Sequence, residues 1–220
     1  MVEDNNHLLI LALDCATPLT SVAISEGEKI IASEVKKPKV GHSETLMPMI
    51  DAMLKTEGLN ISRFNIIAST VGPGTFTGIR VGIATAQGLS IPHNIKTMGI
   101  RTTLAIMLSV GRSEQHYAVV IDARRGMAYV EWFKWVKGRE LPQTEKDIRL
   151  VKYEDLTKAV NGYTAVALRE QDTYKLLEDE SIKPTSPREP IAVGVAICSN
   201  LYSRTGVDTQ LKPLYIRKPD

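Results

Sequence analysis

The sequence predicts a mixed α/β chain of two lobes, each a mixed β-sheet flanked by helices. Three observations carry this. In the first half, segments with the two-residue period of strands and the 3.6-residue period of helices follow one another in the order β-β-β-α-β-α-β-α. A strand, a hairpin and then β-α units require a sheet with antiparallel and parallel members, covered by helices on its faces. After Gly111 the pattern starts again with a second hairpin and continues in shortened form. The expected division is therefore residues 1–111 and residues 112–220, the second a smaller echo of the first.

"HLLILALD" at 7–14, "TSVAIS" at 20–25 and "EKIIASEVK" at 28–36 are β-rich, and Glu26-Gly27 is the turn signal between the last two. Residues 43–58 put Leu46, Met49, Ile50, Met53 and Leu54 at helical spacing, with Ser43 or Thr45 as the cap and Gly58 as the stop. Pro48 must fall in the first turn of that helix or kink it. Residues 64–71 form a short apolar strand, a glycine-rich turn follows, and a second helix covers residues 77–89. A strand at 94–100 and a helix at 101–111 complete the first half. In the second half, residues 117–136 make two strands around a turn at 123–126, and residues 137–147 form a polar loop. Residues 164–168 are a strand and 172–179 a short helix. Residues 190–202 are a helix with Pro190 at its first position, and 211–220 an extended tail.

A chain of 220 residues with 43% hydrophobic and 24% charged content can bury a sizeable core. Its 27 lysines and arginines nearly balance 25 aspartates and glutamates, and a net charge of +2 is no footprint of a dedicated nucleic-acid binder. The apolar run near the N-terminus is broken by Asp14, too early for a signal-peptide core or a membrane span, so a cytoplasmic protein without membrane contact is expected. Cys15 and Cys198 lie far apart and outside any CxxC spacing, which suggests neither a disulfide framework nor a zinc site. None of His7, His42, His93 and His116 stands three or four residues from another histidine. His42 beside Ser43 lacks any GxSxG elbow, which leaves a capping or surface role.

The stretch "TVGPGTFTGIRVGIATAQGL" at 70–89 holds the strongest motif. It lacks the GK[ST] ending of a phosphate-binding P-loop, its glycines miss the GxGxxG spacing by one residue, and Pro73 removes an N–H from the loop that would face a phosphate. Gly78, Gly82 and Ala86, four residues apart, share one helical face, and small residues on one face let another backbone approach closely. The neighbour so approached is either this chain's own sheet or helix, or a partner. Asp14 ends the first strand in "LALDCATP", where a carboxylate could hold a magnesium ion or simply satisfy turn amides. Asp122, followed by Arg124 and Arg125, is its counterpart in the second half.

"LALDCATPLTSVAI", "HSETLMPMID", "VGPGTFTGIRVGIATAQGL", "VIDARRGMAYVEWF" and "PLYIRKPD", in this order and spacing, resemble the TsaB (YeaZ) family. The resemblance spans nearly the whole chain and implies an actin-like, ribonuclease-H-like (ASKHA) double-lobe fold. It also implies a non-catalytic part in making threonylcarbamoyladenosine in tRNAs that read codons beginning with adenine. The transferase would be a larger paralogue, TsaD, with the ATPase TsaE joining the pair and tRNA contacted indirectly. The catalytic paralogue carries a metal-binding His-x-x-x-His pair after the strand that follows the glycine-loop helix. Here that segment is "RTTLAIM" at 101–107, without histidine, carboxylate or cysteine, so neither a catalytic nor a metal-ligating residue is expected.

The resemblance further implies that the helices at 43–57 and 77–89 pack on the equivalent pair in TsaD. Expected at that interface are Leu46, Met49, Ile50, Met53, Gly78, Ile79, Gly82, Ile83 and Ala86, and in isolation the same patch would pair two copies as a homodimer. Asp14 and Thr17 would mark a vestigial nucleotide or metal site. No cofactor is expected on the chain alone, with ATP or ADP left to the interface of the complex. The competing reading is a stand-alone actin-like ATPase or phosphotransferase using Asp14.

Overall fold

The computed structural model describes residues 7–111, 113 and 115–216. The first sheet is built from β1 (Leu9–Asp14), β2 (Thr20–Glu26), β3 (Lys29–Lys36), β4 (Ile66–Gly72) and β5 (Lys96–Arg101), in the order β3-β2-β1-β4-β5. β1, β2 and β3 pair antiparallel, while β4 joins β1 and β5 joins β4 in parallel. The second sheet repeats the plan with β6 (His116–Asp122), β7 (Met127–Lys134), β8 (Gln143–Lys152) and β9 (Thr164–Ala167), in the order β8-β7-β6-β9. Again the first three strands in sequence pair antiparallel and the last joins β6 in parallel. This is the actin-like, ribonuclease-H-like double-lobe fold.

The helices are α1 (His42–Thr56), α2 (Phe76–Ser90), α3 (Thr102–Val110), α4 (Tyr153–Val160), α5 (Asp172–Asp179) and α6 (Ile191–Thr205). Alternation along β1 separates two cores, because successive strand residues point to opposite faces. Leu9, Leu11 and Leu13 pack under α1 and α2 with Leu46, Ile50 and Ile79. Ile10 and Ala12 face a second core in which α3 and α6 lie with residues of both sheets, among them Ile100, Val119, Phe133 and Val166. α3 is buried along its whole length, since it is covered by sheets and by α6 rather than by water. A third cluster puts α4 and α5 on the outer face of the second sheet.

Two expectations need correction, and one helix was not expected. Residues 137–147 are not all loop: β8 begins at Gln143 and pairs with β7. Its charged residues suit an edge strand, where charge discourages further pairing, and they hid the alternation of half-buried Ile148 and Leu150. α4 is a helix the sequence reading passed over, held by buried Leu156 and Val160 four residues apart. The division at 111/112 separates the two sheets but not the helices, because α6 packs on the first sheet. The Ala192 N–H donates to Ser21 Oγ at 3.0 Å, and Gly194 lies directly on the Ala105 carbonyl. Pro48 sits inside α1, beyond its first turn and on its exposed side.

Candidate functional site

The nine residues expected at a partner interface are all buried within this chain: Leu46, Met49, Ile50 and Met53 on α1, and Gly78, Ile79, Gly82, Ile83 and Ala86 on α2. They form the inner face of the helix pair, so their assignment to an outer contact is corrected. The glycines show why. A Cβ on Gly78 would collide with the Cys15 carbonyl oxygen, one on Gly74 with that of Ala16, and one on Gly82 would stand 2.5 Å from Ser69 Oγ. The small-residue face brings α2 down onto the turn after β1 and onto β4, and the neighbour that approaches closely is the chain's own sheet. Ile79 and Ile83 beside the glycines are the sequence signal for this, because apolar residues flanking a small-residue row turn it toward the core.

The outer face of the pair is what remains open. On α1, Ser43, Glu44, Met47, Pro48, Asp51 and Lys55 are exposed, with Asp51 and Lys55 paired at 2.7 Å. On α2, Phe76, Thr77, Arg80, Ala84, Gln87 and Gly88 are exposed. A Cβ on Gly88 would meet nothing within 4 Å. Met47 and Phe76 are 46% and 40% exposed and add apolar area to the open side of α1 and α2. The C-terminal segment extends this face. Leu214 N–H donates to Val71 O at 2.7 Å, and Leu211 is buried in the core under α2. Tyr215 comes to rest with its ring 5.4 Å from that of Phe76. Arg80 Nε donates to the Tyr215 hydroxyl at 3.1 Å while its guanidinium lies 3.6 Å from the centre of the Phe76 ring. Arg217 and Lys218, the basic end of the tail, lie outside the described residues.

Asp14 is fully buried at the end of β1. Its Oδ1 accepts from Thr70 Oγ1 at 2.7 Å and from the Ala16 N–H at 3.1 Å, and its Oδ2 accepts from Thr17 Oγ1 at 2.7 Å. Burial raises its pKa above the usual carboxylate value despite these three bonds. The turn that would present amides to a phosphate is occupied from the other side: Thr75 N–H donates to Ala16 O at 2.8 Å, and Gly78 covers the Cys15 carbonyl. Asp14 and Thr17 are thus brought together, as an internal clamp that fixes the β1–β2 turn. A cleft of about 210 Å³ opens beside them toward Arg169 and Arg188 of the second lobe, where Glu170 and Glu189 balance the two cations. Three of the roughly four lone-pair sites of the Asp14 carboxylate are taken by the fold's own donors, which leaves little to hold a magnesium ion.

Asp122, the counterpart on β6, accepts from the Arg124 N–H at 2.6 Å and from the Tyr153 hydroxyl at 2.9 Å. It too fixes a turn. His42 is half-buried with Nδ1 2.8 Å from Thr20 Oγ1, which ties the start of α1 to β2, and burial lowers its pKa. The segment at 101–107 enters α3, and its first residue pairs across the lobes. Arg101 Nη1 stands 2.9 Å from Oε1 of Glu131, a fully buried carboxylate on β7 whose other oxygen accepts from Thr103 Oγ1. Burial raises the Glu131 pKa more strongly than Arg101 lowers it. Among the described residues, no group of three or more His, Cys, Asp or Glu is placed to hold a metal ion. No helix among them is long and apolar enough to cross a membrane.

Comparison with known proteins places this geometry. The family model described as TsaD, tRNA N6-adenosine threonylcarbamoyltransferase, matches residues 29–160, more than half of the chain. The tRNA threonylcarbamoyladenosine biosynthesis protein TsaB of Buchnera aphidicola subsp. Acyrthosiphon pisum is 30% identical over 183 residues, 79% of either chain. The chain belongs to the TsaB (YeaZ) family. TsaB of Haemophilus influenzae is 28% identical over 229 residues, covering 96% of this chain and 94% of that protein. YeaZ from Pseudomonas aeruginosa shares the fold with a TM-score of 0.77 at 22% identity, covering 95% of this chain and all of that one. The match to a transferase model over residues 29–160 is one of sequence, and it leaves the chemistry to be argued from the residues.

Proposed function

We propose that this chain is a non-catalytic scaffold subunit in threonylcarbamoyladenosine modification of tRNAs that read codons beginning with adenine. It acts in the cytoplasm by binding and supporting the transferase TsaD. The observation that carries this reading is the outer face of α1 and α2, where Met47, Phe76, Ala84 and Gly88 stay open to solvent while the inner face of the same helices is fully packed. Small residues there allow a partner helix to come close, and Met47, Phe76 and Arg80 supply adaptable and anchoring contacts. Membership of the TsaB family supports a partner of the transferase class, and the internal hydrogen bonding of Asp14 favours a supporting role for this chain.

On this reading one surface serves two occupants. An isolated chain pairs with a second copy through α1 and α2, and TsaD displaces that copy because both need the same residues. TsaE joins through the complex, tRNA is reached indirectly, and ATP or ADP belongs to the subunit junction. The test is size exclusion of this protein with its cognate TsaD, comparing wild type with Ala84→Arg and Gly88→Arg. Wild type is expected to co-elute and both variants to run alone while remaining folded, Gly88→Arg melting no lower than wild type because it replaces a helical glycine. Equal co-elution of all three would sink the proposed face, and no co-elution of wild type would sink the scaffold role. Micromolar Mg-ATP binding by the isolated chain, lost in Asp14→Asn, would instead revive the phosphotransferase reading.

A further inference from the structure

A pocket of about 230 Å³ lies between the turn joining β2 to β3 and the last turns of α6, away from α1, α2 and the Asp14 cleft. Its floor holds Ser25 and Asn200, which are 1% and 3% exposed. Ser25 Oγ and Asn200 Oδ1 have no hydrogen-bond partner in the protein, whereas buried polar side chains are nearly always paired. Ile30, Ile197 and Leu201 form apolar walls. The rim carries Glu28 and Glu140, with Arg204 reaching Glu28 Oε1 at 2.5 Å and Glu140 Oε1 at 3.7 Å. Two carboxylates around one guanidinium leave the rim with an excess negative charge.

We propose that this pocket binds a small primary ammonium compound. An ammonium group has three donors and no acceptor, which matches unpaired hydroxyl and amide oxygens buried at the floor and carboxylates at the rim. Its short carbon chain lies along Ile30, Ile197 and Leu201, as the stem of a lysine covers apolar surface. The volume is below the usual range for ligand sites, roughly 300–1,000 Å³, so the ligand is of amino-acid size or smaller. Because Glu28 comes from the first lobe and Glu140 from the segment between β7 and β8, the bound cation draws the two lobes to one point.

The experiment is a titration of the isotope-labelled full chain with butylammonium, butyrate and 1-butanol, read by amide correlation spectra. Concentrations run to about 10 mM, which covers millimolar dissociation constants. Butylammonium is expected to shift the amides of Ser25, Gly27, Asn200 and Leu201 saturably, more weakly at high salt, and the other two compounds to leave them in place. Asn200→Leu should weaken binding about tenfold, the usual loss for a hydrogen bond to a charged group. Ser25→Ala and Glu28→Gln should each weaken it several-fold, and they decide the matter if Asn200→Leu does not fold. Absence of a saturable shift overturns the proposal. So does an equal response to 1-butanol, which would make the pocket merely apolar, a response to butyrate, which would make the floor a donor, or wild-type binding by every folded variant.

Discussion

Replacing Gly78 with alanine sets a methyl group against the Cys15 carbonyl oxygen, with the Cys15 carbonyl carbon 2.9 Å and Thr75 Oγ1 2.5 Å away. The obstacle is backbone, in the turn that Asp14 clamps through Ala16 and Thr17. It can yield only by lifting α2 or by loosening the clamp. Overpacking of this kind costs typically about 1–3 kcal/mol, and contact with a carbonyl oxygen belongs at the upper end. Alanine returns up to about 1 kcal/mol in helix propensity. The net loss is about 2 kcal/mol, or about 4–8 °C in melting temperature for a chain of this size. Gly88→Ala on the same helix meets nothing within 4 Å and should gain up to about 1 kcal/mol, raising the melting temperature by about 2–4 °C. Thermal melts followed by circular dichroism, with urea titrations to check that the slope is unchanged, compare the two variants. A Gly78→Ala protein as stable as wild type would refute the reasoning, because α2 would then stand off from the turn and its glycine row would be free for a partner.

Further outcomes follow from the same geometry. Asp14 has a raised folded pKa, so its contribution to stability is fully present below the unfolded value, about 3.9, and is lost as pH rises through the folded one. Asp14→Asn should therefore be at least as stable as wild type at pH 7 in urea titrations, with the difference shrinking toward pH 4.5; a difference that widens on acidification contradicts this. Arg101→Leu strands the buried Glu131 carboxylate and should cost about 3 kcal/mol near pH 8, the low end for a broken buried pair because Arg101 is one-third exposed. That deficit should fall at pH 5 as Glu131 takes up a proton, and equal deficits at both pH values would show that the pair contributes nothing by charge. Removing the segment from Leu211 onward strips Leu211 and Leu214 from the core under α2 and should cost about 3 kcal/mol. An unchanged melt would show that the segment is not packed there.

The succession of strands in the first lobe was legible because most of them are short, apolar and bounded by turn residues, and α6 carries a clear start signal in Pro190. β8 was not, since an edge strand with Glu145, Lys146, Asp147 and Arg149 has the composition of a loop. The small-residue face of α2 is legible in the sequence, and the neighbour it meets is not. Spacing alone shows that Gly78, Gly82 and Ala86 share a face, and says nothing of what lies opposite until the position of Cys15 and Ser69 is known. The Tyr215, Phe76 and Arg80 cluster joins residues 135 and more positions apart, and no local pattern announces it. The Arg101–Glu131 pair escaped for the same reason, and because a glutamate within the apolar run of β7 reads as a solvent-facing residue.

The return of α6 to the first lobe has a consequence for synthesis on the ribosome. By the time Arg101 has emerged, all five strands of the first sheet exist, yet one side of it, with Ile10, Ala12 and Ile100, awaits residues 191–205. The whole second sheet is translated in between. A nascent chain halted before α6 therefore presents an oily flank to solvent, the kind of surface that chaperones hold and proteases find. The first lobe to be started is the last to be closed.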